Sequence, residues 1–343
     1  HYMQSYDQKN YKLFYNWLIL SFCMVFLMII VGGLTRLTDS GLSITEWELF
    51  KGVLPPLNND SWERYFSLYK GIPQYQLINK DMTIEQFKII YYWEYFHRMF
   101  GRIIGLFFLI PLLYFHFKTK IHKKYLYICY LILFLIIVQG IVGWYMVKSG
   151  LVNDITVSHY RLSLHLSIAF FIISLIFWLI LNIRKKTFKN FFTISKNNFL
   201  LFFLILIIFV QVIIGAFVSG LDAGKIYQTW PLMNSGYFPN DIIIKKVKDF
   251  TDLDNHSLVQ FYHRNIAYFI IIYTFIVGFY IFKNQELDLM KPFYIFITIL
   301  FIQVILGIIT LISGLNIFLA SGHQIFSLLL TLSAINLYYY RIN

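Results

Sequence analysis

The sequence predicts an all-α membrane protein of eight transmembrane helices, arranged as two tandem, pseudo-symmetric four-helix bundles with both termini in the cytoplasm. The first reason is composition: 58% of the 343 residues are hydrophobic and only 13% are charged. A soluble domain is about 45–50% apolar and about 25% charged. The second reason is the number of long apolar stretches, and the third is a repeat that relates the two halves of the chain.

Eight stretches reach the length of about 20 apolar residues that a helix needs to cross the hydrocarbon core. In chain order they are roughly 14–35, 91–117, 125–147, 160–183, 199–221, 258–282, 293–315 and 318–340. The first stretch is long enough to span the membrane and lacks a cleavage pattern of small residues, so we expect it to be retained.

The charges in the links set the direction of the spans. Links 118–124 and 184–198 contain basic residues without an acidic one, whereas segment 36–90 mixes both signs. Because positively charged loops stay in the cytoplasm, both termini and the links after spans two, four and six are predicted inside. The net charge of +12 is therefore attributed to membrane orientation, and we expect no nucleic-acid partner.

The second half of the chain repeats landmarks of the first half. Around the first and fifth spans, Gly32, Asp39, Gly41 and Trp47 match Gly215, Asp222, Gly224 and Trp230 at one constant spacing. Around the third and seventh spans, Gln139, Gly143, Ser149, Gly150 and Leu151 match Gln303, Gly307, Ser313, Gly314 and Leu315. We therefore predict two domains, residues 1–190 and 191–343, related by a parallel repeat, with a long outer loop at 36–90 in the first.

Four histidines lie at matching positions of this repeat: His97, His165, His263 and His323. Each falls within the first two turns or so of a span that runs from outside to inside. All four are thus expected at similar depth in the outer leaflet. An ionisable ring in the membrane is costly and needs a partner. One such histidine is often a satisfied polar group between helices, but two equivalent pairs favour two binding sites.

Haem is the group that these pairs fit best. Two imidazoles on facing helices can hold one haem iron in a bundle, whereas zinc usually takes three or four close ligands. The two cysteines, Cys23 and Cys129, show no metal-type spacing. Four glycines of the odd spans would admit either a flat ligand or closely packed helices: Gly32, Gly143, Gly215 and Gly307.

The two halves differ beside their first histidine. Glu94 lies three residues before His97, whereas Gln260 lies three residues before His263, and side chains at this spacing share a helix face. A buried carboxylate can take a proton or stabilise a developing cation, which an amide cannot do. We therefore expect chemistry in the first half and a permanent redox centre in the second. The alternative is that Glu94 is only the ion-pair partner of Arg98.

Five arginines near the outer ends of the spans are candidate contacts for haem propionates: Arg36, Arg98, Arg102, Arg161 and Arg264. Arginine forms bidentate pairs with carboxylates. The alternative for each of them is that its side chain extends to the lipid headgroups.

Two runs of the sequence resemble haem A synthases. One is GGLTRLTDSGLS at 32–43, followed by Glu46-Trp47 and by GVLPP at 52–56. The other is WEYFHR at 93–98, followed by Gly101-Arg102. The resemblance covers essentially the whole chain, and the long first outer loop resembles the proteobacterial and mitochondrial branch. Another branch carries a cysteine pair in that loop, which is missing here, so we expect no thiol-based step.

Haem A synthases oxidise a ring methyl of haem O to a formyl group, through a hydroxymethyl intermediate, to supply terminal cytochrome oxidases with haem A. The resemblance implies that His263 and His323 ligate a resident haem b. It also implies that His97 and His165 flank the substrate haem O, and that Glu94 is the essential carboxyl.

The expected location is the bacterial inner membrane, with both haem sites toward the periplasmic leaflet. The expected partners are the enzyme that delivers haem O, the assembly of cytochrome oxidase and an unidentified electron-transfer protein. Formation of a homo-oligomer is left open.

Two rival functions remain. A bis-histidine di-haem cytochrome, carrying electrons between a quinol and an acceptor, predicts two permanent haems. Such carriers usually place their haems at different depths, whereas the four histidines here share one depth. A transporter with a histidine proton relay predicts no haem at all.

Overall fold

The computed structural model describes residues 2–48, 50–152 and 154–342, with side chains from Gln8 onward. Within these ranges the regular structure is helical, apart from an isolated β-bridge between Met233 and Gly236. Eight helices are long and apolar enough to cross a membrane. They are α1 (Tyr2–Leu37), α4 (Ile84–Lys118), α5 (Lys123–Gly150), α6 (His159–Lys185), α7 (Phe199–Gly220), α8 (His256–Lys283), α9 (Leu287–Ile312) and α10 (Ile317–Arg341). The predicted all-α membrane architecture is confirmed, while the cytoplasmic placement of the termini stays a prediction.

The chain divides into two compact units, His1–Ile180 and Leu181–Asn343. The division falls inside α6, somewhat before the boundary expected at residue 190. In the first unit α4 packs against α1 and α5. In the second unit α7 packs against α8 and α10, and α9 packs against α8 and α10.

The first outer loop contains two short helices, α2 (Asn59–Lys70) and α3 (Pro73–Leu77), which the sequence pattern did not predict. Asn58 caps α2 by accepting from the backbone of Ser61. The ring of Trp62 on α2 lies 5.0 Å from that of Tyr91, and Phe66 stacks on Phe87 at 5.1 Å. These aromatic contacts hold the loop against the first turns of α4.

Helix α4 begins earlier than the predicted span, at Ile84 instead of residue 91. Thr83 and Gln86 form a capping box, each side chain bonding the other residue's backbone N–H, which stabilises the helix start. The apolar face of this extension covers the loop instead of facing lipid. As a result the predicted loop 36–90 includes the first turns of a spanning helix.

The loops that follow α1 and α7 leave their spans through the same backbone turn. Asp39 and Asp222, which match in the repeat, have φ angles of 51° and 52°. Aspartate enters this left-handed region more easily than most residues, because its short side chain can hydrogen-bond locally. In the first unit, the carboxylate of Asp39 also accepts from Arg36 at 2.9 Å. The repeat therefore extends to the conformation that starts each loop.

Candidate functional site

The predicted histidine pairs come together, one pair in each unit. In the first unit the ring centroids of His97 on α4 and His165 on α6 are 6.4 Å apart. In the second unit those of His263 on α8 and His323 on α10 are 6.3 Å apart. Within each unit the two rings come from different helices, so each pair is assembled by the fold.

Each imidazole packs against a glycine on the spanning helix that precedes its own. A Cβ placed on Gly32 would lie 3.1 Å from Cε1 of His97, and one on Gly307 would lie 2.9 Å from Cε1 of His323. Gly143 with His165, and Gly215 with His263, each give 3.1 Å. A methyl group at any of these positions would crowd the ring. The four glycines therefore make room for the histidines.

Glutamines one turn before these glycines hold the histidine backbones. The Nε2 of Gln139 donates to the carbonyl of His165 at 2.9 Å, and that of Gln211 donates to the carbonyl of His263 at 2.9 Å. Gln303 occupies the corresponding place in α9. In α1 this place belongs to Met28, which has no donor, so the carbonyl of His97 receives no such bond from α1.

The spacing within each pair suits two ligands of one metal ion. An imidazole nitrogen lies about 2 Å from a bound transition metal and its ring centroid about 1 Å further, so opposite ligands have centroids roughly 6 Å apart. Both observed separations match this value. The described residues hold no group of three or more histidine, cysteine or acidic side chains suited to a metal. Two ligands without a third suit haem iron, whose porphyrin fills the equatorial positions.

The surroundings of the ring nitrogens give a second test of whether the four histidines suit a haem. Each ring is partly buried, and its Nδ1 is enclosed without a partner in hydrogen-bond geometry. The backbone carbonyls of Gln139 and Gln303 lie near the rings of His165 and His323, but they do not accept a hydrogen bond of normal geometry from them. Because each Nδ1 is enclosed, Nε2 is the nitrogen that a ligand would take. The residues present therefore fit a haem between each pair.

Glu94 lies at the centre of a buried network in the first unit, with only 2% of the residue exposed. Its Oε1 accepts from Nε and Nη2 of Arg98 at 3.0 and 2.6 Å. Its Oε2 accepts from the hydroxyl of Ser43 at 2.8 Å and from the backbone N–H of Ile44 at 2.7 Å. Four donors around one carboxyl group suit a carboxylate, which is an acceptor only. The pairing with Arg98 is thus present, and it ties the outer loop to α4.

Gln260 holds the matching loop of the second unit with the opposite polarity. Its Nε2 donates to the carbonyls of Ala223 and Ile226 at 2.8 and 2.6 Å, and its Oε1 accepts from Arg264 at 2.7 Å. By the repeat, Ile226 corresponds to Ser43. The loop of the first unit therefore presents donors to a carboxylate, and that of the second presents acceptors to an amide.

The five candidate arginines all have protein partners. These are Asp39 for Arg36, Glu94 and the Ile44 carbonyl for Arg98, the Glu48 and Gly52 carbonyls for Arg102, the Tyr145 carbonyl for Arg161, and Gln260 with the Tyr227 carbonyl for Arg264. Contact with a propionate would have to add to these bonds or replace them. Arg264 has a buried Nε without a partner, so it has a donor to spare.

Sequence reasoning missed the loop contacts and the glutamine bonds. Ser43 and Ile44 lie far from Glu94 in the chain, and no local pattern pairs them. The glutamine bonds could have been suspected from the sequence, because Gln139 and Gln303 both lie one turn before a repeated glycine. Gln211 has the same spacing to Gly215, and a comparison of the odd spans would have found it.

Comparison with known proteins agrees with the resemblance noted from the motifs. The family model of the cytochrome oxidase assembly proteins, COX15-CtaA, matches residues 15–335. A heme A synthase of Pelagibacter ubique is 50% identical over 94% of this chain and 95% of its own length. Those of Flavobacterium psychrophilum and Rickettsia prowazekii are 41% and 40% identical, over 94% and 92% of this chain and 96% and 94% of their own. The chain therefore belongs to the COX15-CtaA family of cytochrome oxidase assembly proteins.

Proposed function

We propose that this chain is a haem A synthase, an oxidoreductase that converts a ring methyl of haem O to a formyl group through a hydroxymethyl intermediate. The observation that carries the proposal is a histidine pair in each unit, with the buried carboxylate of Glu94 three residues before His97 and the amide of Gln260 three residues before His263. Relatives that this chain matches over nearly their whole length are named heme A synthase. Eight helices are long and apolar enough to cross a membrane, and a site within lipid would suit so apolar a substrate.

In this proposal His263 and His323 hold a resident haem b, and His97 and His165 flank the substrate haem O. The resident haem supplies one-electron redox chemistry when bound. Conversion of a methyl to a formyl group removes electrons and protons from the substrate and adds one oxygen atom. In this proposal water supplies the oxygen, and an external electron-transfer partner takes up the electrons. The amide of Gln260 keeps a neutral hydrogen-bonding group beside the resident pair.

Glu94 is proposed to stabilise positive charge that develops at the substrate carbon and to accept a proton from it. Its four hydrogen bonds fix the carboxylate in place before the substrate arrives, so little reorganisation is needed during the reaction. Proton acceptance requires that one of these donors turn away. The Ser43 hydroxyl can rotate without leaving a buried charge unpaired, whereas Arg98 cannot.

We further propose that both sites lie toward the periplasmic leaflet of a bacterial inner membrane. The support is the basic character of links 118–124 and 184–198, which favours an outside position for the opposite ends of α4 and α6. Haem O would arrive through the membrane from the enzyme that makes it, and the product would pass to cytochrome oxidase assembly.

The test is pigment extraction from cells that make this chain together with a source of haem O. We expect a haem with a formyl group, identified by mass and by the visible spectrum of the extract. Cells with the haem O source alone are the control and should contain no such product. Two tightly bound haems without a formyl product would favour the di-haem carrier, and purified protein without Soret absorbance would favour the transporter.

Gly307→Ala is expected to reduce haem bound at the second unit, because the new Cβ would lie 2.9 Å from Cε1 of His323. Displacing the ring costs about 1–3 kcal/mol by analogy with overpacked cores. Soret absorbance per mole of purified protein measures the effect. Gly140→Ala is the matched control, since a Cβ there meets nothing within 4 Å. Equal absorbance in both variants would contradict a positioning role for Gly307.

A further inference from the structure

The first outer loop carries a run of exposed apolar side chains just before α2. In segment 50–57 the exposed fractions are 84% for Phe50, 65% for Leu54 and 78% for Leu57. Single exposed apolar side chains are ordinary on proteins, but a cluster on one short segment marks an interaction surface. The kind of partner follows from where the segment is held.

Side chains of α4 hold this part of the loop by its backbone. The Nη1 of Arg102 donates to the carbonyl of Gly52 at 3.1 Å, and its Nη2 donates to that of Glu48 at 3.1 Å. The hydroxyl of Tyr95 donates to the carbonyl of Val53 at 2.7 Å. Tyr95 and Arg102 are about two turns apart and so lie on one face of α4. The loop therefore runs alongside this helix rather than above its end.

The length of α4 shows at which depth this contact lies. Its 35 residues span about 52 Å, against a hydrocarbon core of about 30 Å. Counting about 20 residues back from Lys118, at its basic end, places the other edge of the core near Arg98. Tyr95 and Arg102 stand on either side of that edge. Phe96 and Ile103 beside them are 58% and 47% exposed, as side chains that face lipid are.

The backbone and the side chains of segment 50–57 both suit the edge of the hydrocarbon core. Non-helical backbone is tolerated at membrane depth only where protein satisfies its polar groups, and α4 supplies donors to the carbonyls of Glu48, Gly52 and Val53. Lys51 is exposed and can extend its ammonium group to the headgroups while its stem lies among apolar chains.

We propose that segment 50–57 is a membrane anchor that seats Phe50, Leu54 and Leu57 among phospholipid at the boundary of acyl chains and headgroups. The partner is the lipid of the loop-side leaflet. The same loop contacts Glu94 through Ser43 and Ile44, so the anchor also steadies the chain that covers this carboxylate. The inference does not depend on the reaction that the site catalyses.

The test is the accessibility of a nitroxide label attached at Leu54→Cys, in a background with Cys23→Ser and Cys129→Ala. The protein is placed in liposomes of phosphatidylethanolamine and phosphatidylglycerol. Collisions with oxygen, which partitions into lipid, are compared with collisions with a water-soluble nickel chelate. Phe96→Cys is the lipid reference. Lys80→Cys is the water reference, because it precedes the start of α4, about 20 Å beyond the hydrocarbon edge.

We expect the oxygen-to-nickel ratio at Leu54 to approach that at Phe96 and to exceed that at Lys80 several-fold. A ratio like that of Lys80 would overturn the proposal, because the segment would then lie in water. A label shielded from both reagents would also overturn it, since a second protein surface would then cover the segment.

Arg102→Leu tests the tether in the same labelled protein. Loss of the two guanidinium N–H groups that donate to loop carbonyls should release the segment and lower the oxygen-to-nickel ratio at Leu54 by severalfold. The ratio at Phe96 should stay unchanged, which shows that α4 still spans the membrane. Arg102→Lys, which can still donate to one carbonyl, should give an intermediate ratio. An unchanged Leu54 ratio in Arg102→Leu would overturn the part of the proposal that assigns the tether to Arg102.

Discussion

Glu94→Ala is expected to abolish haem A formation while the haem held by His263 and His323 stays bound. The substitution removes the carboxylate proposed to stabilise charge and accept a proton at the substrate. Loss of a positioned acid or base typically costs about 10²–10⁴-fold in rate. The measurement is the ratio of formyl haem to haem O extracted from the purified variant. Normal haem A production by Glu94→Ala would place the chemistry elsewhere.

A structural role of Glu94 has to be separated from a chemical one. Its removal leaves Arg98, whose side chain is 13% exposed, without its carboxylate, and breaking a buried ion pair costs about 3–5 kcal/mol. Glu94→Gln retains the size of the side chain and an acceptor for Arg98, so it should fold better and still not produce haem A. If the role is chemical, both variants should retain unconverted haem O. Loss of haem O together with activity would instead indicate that the loop has collapsed.

Gln260→Ala is the matched control in the second unit. It removes two bonds to backbone carbonyls and the acceptor for Arg264 but no charge, so it should weaken the loop and retain measurable haem A formation. A complete loss of activity with haem b retained would mean that the amide shares the role proposed for Glu94.

His263→Ala and His323→Ala are each expected to remove the resident haem. Each ring supplies one of the two proposed iron ligands, and the two ring centroids lie 6.3 Å apart. Loss of even an outer-shell partner lowers metal affinity about 10–100-fold, so loss of a ligand should lower it at least as much. The Soret absorbance per mole of purified protein measures this.

His97→Ala and His165→Ala are the comparison for His263→Ala and His323→Ala, because they remove the equivalent histidines of the first unit. These two variants should keep the resident Soret band and lose haem A formation. The opposite pattern, with the band lost in the first unit and kept in the second, would reverse the proposed division between the units.

The sequence predicted the spans because an apolar stretch of sufficient length has few alternatives to a transmembrane helix. It did not predict the start of α4, because the polar and aromatic residues before Tyr91 serve a loop contact that hydropathy does not register. Helices α2 and α3 were missed for the same reason. Their apolar face is short, and its partner is another part of the outer region.

The histidine pairs were predictable because the repeat gave four rings equivalent positions and the predicted topology gave them a similar expected depth. Their surroundings were not, since the donors to Glu94 come from Ser43 and Ile44 in a loop with no periodic pattern. For Gly32 and its three counterparts, the sequence left open a ligand or a neighbouring helix. The structure places an imidazole against each of them.

The opposite polarity of the two loop networks limits how the units can be exchanged. A glutamine at position 94 would point an amide N–H₂ group at donors or lose a bond to them, and a glutamate at position 260 would face the carbonyls of Ala223 and Ile226. Either single change creates a mismatch that only the neighbouring loop can correct. Chimaeras of the two units should therefore function only when helix and loop are transplanted together, as one module.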